Sequence, residues 1–87
     1  MGQKEKLIDR FKRLPKDFTF DELTSLLVYL GFEQDNKGKT SGSRVLFKRY
    51  DGLLIMLHKP HPGHIVKWYA LKQILDYLRK NDIIDYE

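Results

Sequence analysis

Apolar residues recur at helical spacing in the first part of the chain. Leu7, Ile8, Phe11 and Leu14 fall on one stripe, with Lys4, Lys6, Arg10 and Lys12 or Arg13 opposite, so the spacing predicts an amphipathic helix over residues 4–14 that Pro15 ends. A second stripe, Leu23, Leu26, Leu27 and Leu30, predicts a helix over residues 20–30. Its start is marked by Thr19 and Glu22, spaced as a capping box in which the threonine oxygen takes a free backbone N–H and the glutamate reaches back to the cap. Phe18 and Leu23 stand where a hydrophobic staple would, and Gly31 is placed to take the left-handed conformation that ends a helix.

The period then changes from 3.6 to 2. Residues 32–35 predict a short strand and residues 36–42 a loop, followed by strands over 44–50 and 53–58 joined by Asp51-Gly52, the signature of a two-residue hairpin turn. Alternation puts Val45 and Phe47 on the core face of the middle strand and Arg44, Leu46 and Lys48 on the other. Leu71, Ile74, Leu75 and Leu78 predict a closing helix over 67–78, with Arg79 and Lys80 in its last turn. The tail from Asn81 reads as frayed or loosely docked. The fold class is α+β: helices packed on one face of a three-stranded antiparallel sheet. The expected core is Leu7, Phe11, Leu23, Leu27, Leu30, Phe32, Val45, Phe47, Leu53, Ile55, Leu57, Leu71, Ile74 and Leu75.

A chain of 87 residues has room for a single hydrophobic core, so residues 1–87 are expected to form one domain. The longest aliphatic run, residues 53–57, is far below the roughly 20 residues of a membrane-spanning helix. Residues 1–6 are too polar for a signal peptide, and the expected location is the cytoplasm. The absence of cysteine excludes disulfides, thiol nucleophiles and thiolate zinc sites.

Charge separates along the chain. The net charge is +4 and the pI about 9.4, yet residues 17–36 contain the acids Asp17, Asp21, Glu22, Glu33 and Asp35 and no base. Residues 37–49 reverse this, with Lys37, Lys39, Arg44, Lys48 and Arg49 and no acid. Such a block attracts polyanions with an affinity that falls as salt rises, although a basic run is also an ordinary solvated surface.

Four features together resemble the HicA (YcfA-like) toxins of bacterial toxin–antitoxin pairs: TFDELTSLLVYLGF at residues 19–32, Gly42-Ser43-Arg44 before the hairpin, His61-Pro62-Gly63 after the third strand, and the closing helix to Leu78. The resemblance implies a fold like the double-stranded RNA-binding domain over residues 19–80, with residues 1–18 a helical addition. It also implies an RNA-cleaving activity on mRNA, without a cofactor, and a HicB-like antitoxin protein as partner. The candidate RNA contacts are Lys37, Lys39, Ser43, Arg44 and Lys48. The family motif reads Gly-Ser-His, its histidine taken as catalytic, and this chain has arginine at position 44. Cleaving RNA without a metal requires a base for the 2′-hydroxyl and an acid for the leaving oxygen, work that suits histidine. Arginine stays cationic, so Arg44 is suited to holding a phosphate and stabilising developing negative charge.

A second cluster, His58-Lys59-Pro60-His61-Pro62-Gly63-His64, has histidines spaced by three. Zinc normally takes four ligands and no acid lies in this stretch, so no metal site is assigned. Two readings stay open: a polar loop, or His61 or His58 as a relocated catalytic group beside Arg44. His61 is the candidate that best matches the family's position after the third strand. Three function classes follow: an RNA-cleaving toxin with an altered site, an RNA-binding module without cleavage, and an interaction protein. Leu54 and Met56 would serve the last by leaving an apolar strip on the open sheet face, unless the added helix covers it.

Overall fold

The computed structural model describes residues 2–35, 44–60 and 63–85. The elements run α1 (Gln3–Lys12), α2 (Phe20–Tyr29), β1 (Phe32–Asp35), β2 (Arg44–Arg49), β3 (Leu54–His58) and α3 (Trp68–Lys80). The strands form one antiparallel sheet in the order β1-β2-β3. Val45, Phe47, Ile55 and Leu57 point inward to Leu23, Leu26 and Leu27 of α2 and Leu71, Ile74, Leu75 and Leu78 of α3. The helices therefore lie on one side of the sheet and the other face is open. α1 packs against α2 and α3, so the added helix leaves the open face bare.

Helix ends follow from local chemistry. Thr19 Oγ1 accepts from the Glu22 N–H at 3.1 Å and the Thr19 N–H donates to Glu22 Oε1 at 2.9 Å, completing the capping box; the staple residues Phe18 and Leu23 are both fully buried. Gly31 takes a φ of 97°, and its N–H donates to the Val28 carbonyl at 3.1 Å. Any Cβ there would come within 3.3 Å of Arg49 Nε, so the helix end and β2 approach closely because position 31 has no side chain. α1 closes through Leu14 at φ 51°, since Pro15 disfavours the right-handed helical conformation in the residue before it.

Three expectations need correction. The register pairs Lys48 with Leu54, and the Arg49 N–H donates to the Leu53 carbonyl at 2.9 Å, so the loop is the three residues Tyr50, Asp51 and Gly52 rather than Asp51-Gly52 alone. The Gly52 N–H closes a turn on the Arg49 carbonyl at 3.0 Å and Gly52 has φ 92°, the three-residue hairpin that ends on a left-handed residue. Leu7, Leu30 and Leu53 are only partly buried, at the margin of the core, whereas Phe18, Leu26, Val66, Leu78 and Ile84 are inside it. Finally, the tail is docked as far as Asp85. Asp82 turns left-handed at φ 59°, its N–H bonds the Arg79 carbonyl at 3.0 Å and the Ile83 N–H bonds the Leu78 carbonyl at 2.9 Å, a Schellman closure. This folds Ile84 back into the core, while Asp85 meets Lys12 of α1.

Val66 is brought in by a contact between distant segments. The Phe20 N–H donates to the His64 carbonyl at 2.7 Å and the Val66 N–H donates to the Phe18 carbonyl at 2.8 Å, forming a bridge between Thr19 and Ile65. The segment after β3 is thereby tied to the entrance of α2.

Candidate nucleic-acid interface

The open face is built by period two. Its rows run Glu33–Lys48–Leu54 and Asp35–Leu46–Met56 across the three strands, then Arg44–His58 across β2 and β3. Arg44 and Lys48 share this face as expected, but about 13 Å of strand separates them and Leu46 lies between. Lys48 sits directly across from Glu33, so its charge is locally offset, whereas among the described residues Arg44 has His58 opposite and no acid. Counting alternately from the bonded pair Arg49 and Leu53 makes Arg44 and His58 a non-hydrogen-bonded pair, whose side chains stand closest, about 4.5 Å apart at Cα. Both are exposed.

Lys37, Lys39, Ser43 and His61 lie outside the described residues. Of the others, the structure pairs Arg44 with His58 and leaves Lys48 on the same face about 13 Å along the strand. The alternative that placed His58 beside Arg44 agrees with the strand register.

Arg49 belongs elsewhere. One further step of the alternation that buries Val45 and Phe47 turns it inward, where its guanidinium lies 5.9 Å from the Phe32 ring centroid and 5.0 Å from that of Tyr50. Asp51 pairs with it at 3.5 Å, and the buried Nε of Arg49 has no hydrogen-bond partner among the described residues. The cationic block of residues 37–49 is therefore split, with Arg49 under Gly31 and unavailable to the open face.

Beside the Arg44–His58 pair, a cleft of about 480 Å³ opens between the edge of β3 and the start of α3. Phe20, Met56, Ile65 and Ile74 contribute apolar groups to its lining, and Tyr69 and Gln73 line it from α3. His58, Lys59 and Lys67 line it and, among the described residues, no Asp or Glu does. Lys67 Nζ lies 5.9 Å from the Tyr69 ring centroid. The sequence reading missed this cleft, although a signal was present: Trp68 and Tyr69 lie off the apolar stripe of α3, and both are about half exposed. Among the described residues, no three His, Asp or Glu gather where they could hold one metal ion, and no helix is long and apolar enough to cross a membrane.

These features define the class: a small α+β domain with one sheet face closed by helices and the other open, cationic at the Arg44 end. Residues 20–80 match the model of the HicA toxin of bacterial toxin–antitoxin systems, and the chain belongs to that family. No match among the curated proteins or the solved structures accompanies it. α1 and the residues before Phe20 lie outside the matched span.

Proposed function

We propose that this toxin-family chain acts on RNA in the cytoplasm, holding the phosphate backbone against the open sheet face, with Arg44 as the principal anchor. The observation that supports this most is the pairing of Arg44 with His58 on an exposed face, because it joins a permanent cation to a group able to accept a proton. Ser43 directly precedes Arg44 in the chain, Lys37 and Lys39 lie further upstream, and all three are assigned to RNA contact as well. Cleavage by this arrangement is metal-independent. A histidine, His58 or His61, takes the 2′-hydroxyl proton as that oxygen bonds the adjacent phosphorus. The bond to the 5′-oxygen breaks as that oxygen takes a proton from a solvent water, leaving a 2′,3′-cyclic phosphate, and Arg44 stabilises the charge on the phosphoryl oxygens.

A fluorescently labelled single-stranded RNA titrated at several salt concentrations tests the binding. With about three to five phosphates engaged, the log–log slope lies near −2 to −3.5. Binding indifferent to salt, or unchanged in the double variant Arg44→Ala, Lys48→Ala, removes RNA as the ligand. Incubation in EDTA tests the chemistry: His58→Ala or His61→Ala abolishes cleavage, and Arg44→His raises it. Cleavage that survives both histidine replacements refutes the proton-transfer assignment.

A second reading is favoured by one observation. Leu54 and Met56 are 50% and 52% exposed on a strip that α1 does not cover, which gives a HicB-like antitoxin an apolar landing site on the same face as Arg44. An antitoxin docked there blocks RNA directly.

A further inference from the structure

We infer that the cleft between β3 and α3 is a pocket for one unpaired nucleobase of the bound RNA, with Tyr69 as its stacking platform and Gln73 as the group that reads the base edge. The inference rests on the RNA-binding reading above and adds a source of sequence preference to it. Phosphate contacts alone position a strand without distinguishing its bases.

The cleft is continuous with the proposed backbone contact. Met56 and His58 belong both to the open face and to the cleft lining, so a strand whose phosphate rests on Arg44 and His58 has the cleft within reach of its next base. At about 480 Å³ the volume falls in the range of roughly 300 to 1,000 Å³ typical of sites for small organic groups. Its chemistry is divided as a nucleotide requires. Phe20, Met56, Ile65 and Ile74 offer apolar contact to a ring, and an exposed tyrosine offers a flat face on which any base can stack. Lys59 and Lys67 supply positive potential for the flanking phosphates, and among the described residues no lining carboxylate opposes it. Gln73 carries both a donor and an acceptor, and no hydrogen bond engages its amide among the described residues, so it can pair with a base edge. Single-stranded RNA is recognised in this way, with bases splayed out onto aromatic side chains and bonded along their edges. The absence of acids and the presence of two lysines favour a polyanion over an apolar side chain from a protein partner.

The test is a double-mutant cycle between protein and RNA. The parent, Tyr69→Phe and Tyr69→Ala are titrated with a short labelled single-stranded RNA and with the same strand made abasic at every position, which keeps the phosphates. Tyr69→Ala weakens binding of the intact strand by about 5- to 150-fold. Tyr69→Phe stays within about twofold, since the ring is kept. On the abasic strand Tyr69→Ala costs less than about twofold. Gln73→Ala narrows the difference in affinity among the four homopolymers. Tyr69 is half exposed, so folding is preserved, and a thermal melt verifies this. Salt-dependent binding that ignores Tyr69→Ala, or a loss as large on the abasic strand as on the intact one, overturns the pocket while leaving the backbone contact standing. Tyr69→Ala weakening the antitoxin complex but not RNA binding assigns the cleft to the protein partner and likewise overturns it. A parent that binds no RNA removes the functional reading itself and the pocket with it.

Discussion

On the helical side of the sheet, Arg10 reaches Asp17 at 3.1 Å and Glu22 at 3.3 Å, Lys12 reaches Asp85, and Arg13 reaches Asp9 at 3.1 Å. On the open side, Arg44 and Lys48 form no ion pair among the described residues, although Glu33 stands across the strand from Lys48. Two regions of similar basic composition thus use charge in opposite ways. In the first, cations fasten an added helix to α2 and to the tail, and Arg10 also lies 5.3 Å from the Phe18 ring. In the second, Arg44 faces His58 rather than an acid, on a face that also leaves Leu54 and Met56 half exposed. Net charge alone does not separate these uses; a cation's value to a polyanion depends on whether an acid already faces it.

The strongest way to break the comparison is to show that α1 is only an appendage. Phe11 is fully buried, its ring 5.7 Å from that of Phe18, so Phe11→Ala should cost about 3 to 5 kcal/mol. Stabilities of roughly 0.05 to 0.15 kcal/mol per residue make that a large share of the total for a chain of this length. Urea denaturation measures it, and a loss under about 1 kcal/mol would mean α1 is weakly attached. The open side should respond the other way. Arg44→Ala should reduce RNA affinity by about 10- to 100-fold, the worth of a charge-assisted phosphate contact, and change stability by less than about 0.5 kcal/mol. A substantial loss of stability would make Arg44 a structural cation like Arg49.

The cap between α1 and α2 gives an intermediate effect. Thr19→Ala should cost about 1 kcal/mol. Burial pushes the Glu22 carboxyl up, but hydrogen bonds from the Thr19 N–H and hydroxyl, together with the Arg10 guanidinium, outweigh it and hold Glu22 below the usual carboxylate range. A depressed folded-state value means that Glu22 stabilises the fold above its ordinary range, and that this contribution disappears as pH falls through the lowered value. Thermal melts stepped downward in pH should therefore show a shallower acid-side decline in Glu22→Gln than in the parent. Equal slopes would show that the carboxylate is not held by the fold.

How much of this was legible in the sequence depended on distance along the chain. Thr19 with Glu22, Gly31 and the alternation of Val45 and Phe47 are local signals, and the elements they imply are present within a residue or two. Period two also contained the inward turn of Arg49, one step beyond Phe47, although a count of charges grouped it with Arg44. The hairpin came out one residue longer because Tyr50 joins Asp51 and Gly52 in the loop, and Asp-Gly does not by itself distinguish two-residue from three-residue turns. The bond from Phe20 to the His64 carbonyl links segments 44 residues apart, and Ile84 returns through a left-handed Asp82 instead of the glycine that usually marks such an end. No local pattern announces either contact. The cleft depends on that same long-range bridge, which is why Tyr69 and Gln73 were not distinguishable from ordinary exposed helix residues.

The smallest predicted effect defines what fastening means here. Lys72 and Asp76 form an ion pair at 3.1 Å on α3, as close as Arg10 to Asp17, but their side chains are 54% and 60% exposed. The pair also runs base before acid along the helix, the weaker order with respect to the macrodipole. Lys72→Ala should therefore change stability by no more than about 0.5 kcal/mol, and added salt should change that difference little. Arg10→Ala should cost more, because it releases two carboxylates and the cover over Phe18 together. Equal costs for the two replacements in paired urea titrations would mean that distance alone decides an ion pair's contribution. The contrast between the two sides of the sheet would then be one of charge number rather than of connection.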